Sequence, residues 1–197
     1  RKSPFVVPMC GSGTLAIEAA LLATDKTPGM FRMNYGFMHI IGYNEEVFFE
    51  ERRKLKEKAK REIDFRIVAT DHSEDAVDIS RKNAKTAGVD HLIDFSVCDF
   101  ADTEVPEGSG IVIFNPEYGE RLGVHTKLEA TYKRIGDFMK QKCKGYRGYI
   151  FTGNPDLAKK IGLRASRRIE FYNGKLDCRL LEYELYEGSK REPKPES

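Results

Sequence analysis

The chain alternates short apolar segments with longer segments of helical periodicity, and this alternation constrains its fold more than any other feature. Apolar runs of about four to eight residues predict buried strands, and apolar residues recurring every three or four positions predict helices. Strands are predicted at residues 5–7, 66–70, 92–97, 111–114, 148–152, 165–172 and 178–186, and helices at 15–22, 45–64, 74–87, 126–144 and 155–160. Such alternation predicts a mostly parallel sheet covered on both faces, and Asn173-Gly174 predicts a closing antiparallel hairpin.

Two further segments complete the predicted organisation. Residues 24–43 show neither the strand pattern nor the helical periodicity and contain several glycines, so they are predicted to form a loop. The charged helix at residues 45–64 is predicted because apolar residues recur along one helical face. Those residues are Phe48, Leu55, Ala59 and Ile63. Residues 188–197 are polar and contain prolines, so a disordered tail is predicted after a single domain at residues 1–187.

The composition narrows the class of protein without naming a partner. The sequence holds 33 lysine and arginine residues against 31 aspartate and glutamate residues, a net charge of +2 that neither demands nor excludes nucleic acid. Its four cysteines are scattered and form no pattern with zinc spacing, so no metal site is predicted and a reducing cytoplasm is favoured. No apolar run approaches the roughly 18 residues that a membrane span requires, so none is predicted.

Glycine, polar or aromatic residues follow four of the predicted strands. Ligands of open α/β sheets bind beyond the carboxyl ends of the strands. Because the four segments share that edge of the sheet, we expect their side chains to surround one site. The residues concerned are Pro8, Cys10, Gly11, Ser12, Gly13, Thr14, Asp71, Asp99, Asn115, Pro116 and Tyr118.

The segment Gly11-Ser12-Gly13 joins the first strand to the first helix. Glycines there let the backbone approach a ligand closely and leave N–H groups free at the start of the helix. The segment is not a phosphate-binding P-loop, because no Gly-Lys-Ser/Thr follows it. It also departs from the NAD-binding pattern, because Ala16 stands at the third glycine position. Alone, it is also typical of any tight strand-to-helix turn.

Two aspartates end the second and third strands and are candidate ligands of a nucleoside. Asp71 could accept hydrogen bonds from ribose hydroxyls, although it lies 58 positions after Gly13 (71 minus 13), against about 20 in NAD enzymes. Its alternative role is a helix cap, for which Ser73 is the better candidate. Asp99 could accept from an adenine amino group or serve as a turn residue. His72 either lines the same pocket or occupies an ordinary loop position.

The tetrapeptide Asn115-Pro116-Glu117-Tyr118 follows the fourth strand. The Asn115 side-chain oxygen and the Pro116 carbonyl can each accept a hydrogen bond from one NH2 group, and the Tyr118 ring can stack on the same group. The pattern therefore predicts a site for a flat ring that bears an amine. Asn-Pro also initiates plain turns, but a turn has no need of the aromatic residue.

Together these motifs resemble one family, the class I S-adenosylmethionine (SAM)-dependent RNA methyltransferases that usually carry an N-terminal THUMP domain. Within that family the chain is most similar to bacterial 23S rRNA guanine-N2 methyltransferases. The resemblance covers nearly the whole chain. It rests on residues 8–20, 115–123, 152–157 and 173–179, and the loop at 28–37 is similar to an insertion of this group.

The resemblance implies a Rossmann-like, seven-stranded, mostly parallel sheet with helices on both faces and a C-terminal antiparallel hairpin. It implies SAM as cofactor, RNA (23S rRNA or a ribosomal precursor) as partner, a cytoplasmic location and an RNA-binding THUMP domain upstream. Residues 8–14 would contact the methionine part of SAM, Asp71 the ribose and Asp99 the adenine. His72, Phe100 and Asn115 would belong to the same pocket. Asn115, Pro116 and Tyr118 would hold the target base.

Two positions depart from the family pattern and leave alternatives open. Val7 stands where the family usually has aspartate, so a polar contact to the cofactor is missing. Glu117 stands where a second proline is usual, and its charge would repel RNA phosphates unless it pairs with a cation such as Arg121. The alternatives to a guanine-N2 enzyme are an adenine-N6 methyltransferase acting on DNA or RNA, and a SAM- or RNA-binding module with impaired catalysis.

Overall fold

The computed structural model describes residues 2–27, 29–30, 32–117, 125–174 and 176–186. Within these ranges, seven strands form one sheet. The strands are β1 (Phe5–Pro8), β2 (Ile67–Asp71), β3 (Ile93–Val97), β4 (Ile111–Phe114), β5 (Arg147–Thr152), β6 (Arg167–Asn173) and β7 (Leu176–Glu184). The α-helices are α1 (Thr14–Ala23), α2 (Glu45–Lys58), α3 (Glu74–Thr86), α4 (His125–Lys142) and α5 (Pro155–Lys159).

The strands are ordered β3-β2-β1-β4-β5-β7-β6 across the sheet. The first five strands pair in parallel, whereas β7 pairs antiparallel with both β5 and β6. Both the parallel sheet and the closing hairpin are therefore confirmed. The strand order reverses between β1 and β4, since the chain builds outward from β1 to β3 and then returns to build the other half.

Two apolar clusters cover the two faces of the sheet. One cluster packs α4 against β4, β5 and β7, and the other packs α1 and α3 against β1 and β2. The apolar residues that recur along one face of the helix predicted at residues 126–144 are all buried, which confirms its periodicity. They are Leu128, Tyr132, Ile135, Met139 and Cys143. The sheet is thus held rigidly from both sides, which fixes where the ends of its strands lie.

The prediction for α2 is wrong in its last turn and a half. The helix ends at Lys58, and the Lys60 N–H donates instead to the Thr24 carbonyl at 2.8 Å, tying the chain to the end of α1 before it enters β2. Ala59 and Ile63 therefore lie outside the helix. No residue of α2 is buried, because its apolar stripe meets no sheet. Phe48 contacts instead a small aromatic group formed by Tyr35, Phe37, Tyr43 and Phe49.

No helix in the described ranges is long and apolar enough to cross a membrane.

The packing of α4 predicts a strong effect of adding one methyl group at Gly136. A Cβ built there would lie 1.9 Å from the Ile161 carbonyl oxygen, so the Gly136→Ala change must push α4 away from the segment after α5. We expect the free energy of unfolding, measured by urea denaturation, to fall by about 1–3 kcal/mol despite the better helix propensity of alanine. Gly36→Ala is the matched control, since a Cβ there meets no described atom within 4 Å. Equal stability of the two variants would contradict this packing.

Candidate functional site

A crevice opens between β1 and β4 at the carboxyl edge of the sheet. The β1–β2 ladder continues to Pro8 opposite Thr70, whereas the β1–β4 ladder ends at Val6 opposite Val112. The two strands therefore separate before their carboxyl ends. They are also the strands at which the strand order reverses, and such switch points are where open α/β sheets bind ligands.

The loop after β1 forms one wall of this crevice. Its backbone takes left-handed conformations at Met9 (φ 69°), Gly11 (φ 55°) and Gly13 (φ 85°). Met9 has a side chain and is therefore uncommon in this conformation, and such backbone outliers cluster at functional sites. A Cβ added at Gly11 would meet no described atom within 4 Å, whereas one at Gly13 would lie 2.8 Å from the Ser80 Oγ. Gly11 thus leaves its side open to a ligand, while Gly13 is required for close packing on α3.

Asp71 holds this loop in place from the end of β2. Its Oδ2 accepts a hydrogen bond from the Gly11 N–H and its Oδ1 one from the Ser73 N–H, both at 3.0 Å. The residue is only 8% exposed, so these contacts satisfy a carboxylate that is largely removed from water. The N-cap of α3 is Ser73, whose Oγ accepts from the Ala76 N–H, as predicted. Binding of ribose by Asp71 stays a prediction.

Two residues of α3 complete the support of the loop, and the sequence reasoning did not identify this role. The Ser80 hydroxyl donates to the Gly11 carbonyl at 2.7 Å, and the Asn83 side-chain amide donates to the Ser12 carbonyl at 3.0 Å. Ser80 shares the inward face of the helix predicted at residues 74–87 with Ala76, Val77, Ala84 and Ala87. The sequence signal for this role was a hydroxyl on the apolar face of a helix, because a buried hydroxyl requires a hydrogen-bond partner.

The remaining loop residues divide between the interior and the solvent. Pro8 and Cys10 are buried, whereas Ser12 and Thr14 are exposed at the start of α1, with their hydroxyls 3.3 Å apart. Burial raises the pKa of the Cys10 thiol, so this group stays neutral and is a packing residue rather than a nucleophile. His72 is exposed, with its Nδ1 3.2 Å from the Asp71 Oδ1.

Asp99, after β3, is held by an arginine that the sequence reasoning missed. Its Oδ1 accepts from the Ala101 N–H at 2.9 Å and from the Arg134 Nη2 at 2.7 Å. The Arg134 guanidinium also lies 4.7 Å from the centre of the Phe100 ring. Among the described contacts none reaches the Oδ2 of Asp99, so this oxygen has capacity for a further donor. Phe100 is buried against Phe114 and Phe138.

The environment of Asp99 lowers the pKa of its carboxyl group from the ordinary value of 3.8. Burial acts to raise this pKa, but the Arg134 hydrogen bond, the Ala101 N–H and the positive charge of Arg134 outweigh it. Asp99 therefore stays ionised throughout the neutral range. Because its pKa is lower in the folded state, its contacts stabilise the fold above about pH 4 and are lost as the pH falls below that value.

The opposite wall of the crevice begins where β4 ends. Asn115 is exposed, Pro116 is buried and Glu117 is exposed, so the amide faces solvent while the proline packs into the protein. Tyr118 and Arg121 lie outside the described residues. The strand ends thus present Asp99, Asp71, the glycine loop and Asn115 in the spatial order β3, β2, β1, β4. Neighbouring strands are about 4.8 Å apart, so the predicted site residues share one edge.

No group of three or more histidine, cysteine, aspartate or glutamate side chains suited to a metal ion occurs in the described part of the chain.

Comparison with known proteins connects this geometry to a family. A family model described as "RMKL-like, methyltransferase domain" matches residues 1–182. The chain is 39% identical over 194 residues to a ribosomal RNA large subunit methyltransferase K/L from Syntrophotalea carbinolica. That match covers 95% of this chain but 27% of the relative, so the chain spans about a quarter of the length of this curated protein.

Solved structures agree with this relationship. A putative methyltransferase in complex with SAH superposes with a TM-score of 0.87 at 29% identity, covering 95% of this chain and 49% of the other. A predicted N6-adenine-specific DNA methylase from Listeria monocytogenes superposes with a TM-score of 0.82 at 27% identity, covering 93% of this chain and 47% of the other. The predicted class I methyltransferase fold is confirmed, and the chain belongs to the family of RMKL-like methyltransferase domains.

Proposed function

We propose that this chain is the catalytic domain of a SAM-dependent methyltransferase that modifies an exocyclic base amine in RNA, guanine N2 of 23S rRNA or of its ribosomal precursor. One observation carries the proposal. The crevice between β1 and β4 has a ligand-ready glycine loop on one wall and an exposed Asn115 on the other, within a methyltransferase family. A cofactor and an amine substrate can therefore meet in one place.

The residues of the first wall fit SAM. Gly11 leaves open space beside a backbone whose curvature is fixed, which suits the close approach of a ligand. The ionised Asp99 has an oxygen available for the adenine amino group, and the Asp71 carboxylate has acceptor capacity beyond its two N–H partners. When bound, SAM supplies an electrophilic sulfonium methyl group. Arg134 would act as a positioning residue, because its hydrogen bond orients the Asp99 carboxylate and its charge keeps that group ionised.

The second wall would hold the substrate. The Asn115 side-chain oxygen and the Pro116 carbonyl would accept the two hydrogens of the base amine, and Tyr118 would stack on the base. The amine of guanine is a poor nucleophile, because its lone pair is delocalised into the ring. Two acceptors that favour a pyramidal nitrogen would localise that lone pair and point it at the methyl group. Catalysis would therefore come from positioning and electrostatics, with no strong base required.

The substrate also sets conditions on access and on the whole protein. A base in a duplex must leave the stack before its amine can reach this crevice. We propose that an RNA-binding region of the THUMP type accompanies this domain in the whole protein, and that residues 1–187 act as one unit. A ribosomal RNA substrate would place the activity in the cytoplasm.

A second candidate, adenine-N6 methylation, is compatible with the site's chemistry, since Asn115 and Pro116 can accept either amine, and one structural neighbour is described as a predicted N6-adenine-specific DNA methylase. Incubating the chain with tritiated SAM and unmodified rRNA, and digesting the product to nucleosides, decides between N2-methylguanosine and N6-methyladenosine. Absence of any transfer, with SAM binding intact, would favour an impaired binding module.

Val7 does not decide this question, because it is 1% exposed and packs in the cluster beneath the loop.

Replacing Arg134 with methionine should weaken SAM binding in a pH-dependent way. Without the guanidinium, burial would raise the pKa of Asp99, so the carboxylate would lose its charge as the medium becomes acidic. We expect the Kd for SAM, measured by calorimetry, to rise roughly two- to threefold at about pH 5 and less at about pH 8. Lys133→Met, which removes a charge from the next position on α4, is the control. A pH-independent loss would argue against this role of Arg134.

Replacing Asn115 with alanine should separate transfer from cofactor binding. The variant loses the acceptor that orients the amine, so kcat should fall by about a hundredfold. The Kd for SAM should remain close to that of the wild type. Equal losses of methyl transfer and SAM binding would show that Asn115 belongs to the cofactor wall.

Replacing Glu117 with glutamine should affect the approach of RNA rather than the chemical step. Glu117 is exposed beside the proposed substrate site, where its charge repels phosphates. We expect KM for rRNA to decrease at low ionic strength, the difference to vanish at high salt, and kcat to stay unchanged. An unchanged KM at low salt would mean that the carboxylate lies away from the RNA.

A further inference from the structure

A second concave feature lies beside the proposed substrate wall. It is a cavity of about 450 Å³ between α5 and the β6–β7 hairpin. Its size suits a ligand no larger than a nucleotide. We call it the hairpin cavity; its polar lining is formed by Thr152, Gly153, Lys159, Arg164, Arg168, Asp177 and Arg179. None of these residues takes part in the mechanism proposed above.

The hairpin cavity begins one strand away from the residues that would hold the base. Thr152 is the last residue of β5 and Gly153 follows it; β5 is the direct neighbour of β4, and the ladder pairs Phe114 with Ile150. Neighbouring strands are separated by about 4.8 Å. Arg179 stands opposite Thr152 on β7, so the cavity extends laterally from the end of β4. A polymer whose one base reaches Asn115 would pass over it.

Some of the positive side chains around the cavity pair with described carboxylates, and others do not. Lys159 pairs with Asp156 at 2.8 Å, and Arg179 pairs with Asp177 and Glu170. Arg164 and Arg168 are both exposed, and they make no hydrogen bond or ion pair with any residue that the structure describes. The cavity therefore offers two guanidinium groups whose charges no described carboxylate neutralises.

The surroundings of these two arginines suit a sugar and a base. The floor of the cavity is apolar, formed by Ala158, Leu163, Leu181 and the ring of Tyr183. Tyr172 is 75% exposed on β6 and opposes Asp177, so it lies on the face of the hairpin that carries Arg168 and Arg179. Exposed aromatic rings beside cationic groups are the combination that binds single-stranded nucleic acid.

We propose that the hairpin cavity binds the RNA strand next to the target nucleotide, with backbone phosphates contacting Arg164 and Arg168. This inference rests on the proposed function, because it needs an RNA substrate. A base that leaves its stack must have its flanking backbone held, and phosphate contacts supply that register. Guanidinium groups are suited to the task because they bind phosphate through two parallel hydrogen bonds.

The test compares two variants of the 197-residue chain. One is the double variant Arg164→Gln/Arg168→Gln, and the other is Arg167→Gln. Arg167 precedes Arg168 on β6 and is equally exposed, but it opposes Glu182 while Arg168 opposes the buried Leu181, so the two side chains lie on opposite faces of the sheet. The control thus removes a charge from the same strand without touching the cavity.

The first readout is the salt dependence of binding to a fluorescein-labelled single-stranded RNA of about 12 nucleotides. Each phosphate contact contributes about 0.7 to the slope of log K against log salt for a single strand, so the double variant should lose about 1.4. Arg167→Gln should keep the wild-type slope. An unchanged slope in the double variant, an equal loss in the control, or no binding of this RNA by the wild type would overturn the proposal.

Two further readouts separate this inference from the proposed function. In the double variant, the Kd for SAM should stay unchanged, and KM for rRNA should rise with kcat preserved, since the chemical step does not involve the cavity. If the wild type binds the RNA with the predicted slope but transfers no methyl group, the proposed function fails and the RNA surface stands. If the wild type methylates rRNA and the double variant does so with unchanged KM, the cavity proposal fails alone.

Discussion

The site depends on one buried carboxylate that joins two neighbouring strands. Asp71, at the end of β2, accepts a hydrogen bond from the backbone N–H of Gly11 in the loop after β1, and the Ser80 hydroxyl on α3 donates one to the carbonyl of the same glycine. Left-handed backbone conformations are costly, so without these two hydrogen bonds the loop would relax to other conformations. Because both the N–H and the carbonyl of Gly11 are hydrogen-bonded, the loop keeps an open concave surface beside the crevice.

The same device recurs at the next strand. Asp99 is oriented by Arg134, which belongs to a helix more than thirty positions later in the chain and packs its guanidinium on Phe100. Both oxygens of Asp71 and the Oδ1 of Asp99 are thus hydrogen-bonded within the protein, so a cofactor bound as proposed would meet groups already fixed in place. Such preorganisation lowers the entropic cost of binding and of reaching the reactive geometry.

The proposed substrate half is arranged differently at the end of β4. Asn115 is exposed and Pro116 is buried, so rigidity comes from the proline while the amide is presented to solvent. Beside this wall lie Arg164, in the segment before β6, and Arg168 and Tyr172 on β6. As proposed, positioning of the amine and binding of the neighbouring RNA strand would fall to adjacent but separate elements.

The sequence alone determined the alternation of strands and helices, the inward face of α4 and the residues that follow each strand, because periodicity and turn residues are local properties. It also carried the family resemblance. It misjudged the end of α2, since no sheet was there to bury that stripe, and it missed Ser80, Asn83 and Arg134. Only the tertiary structure decided those roles, together with the cavity between α5 and the hairpin, because each depends on side chains that are far apart in the chain and meet only when the sheet closes.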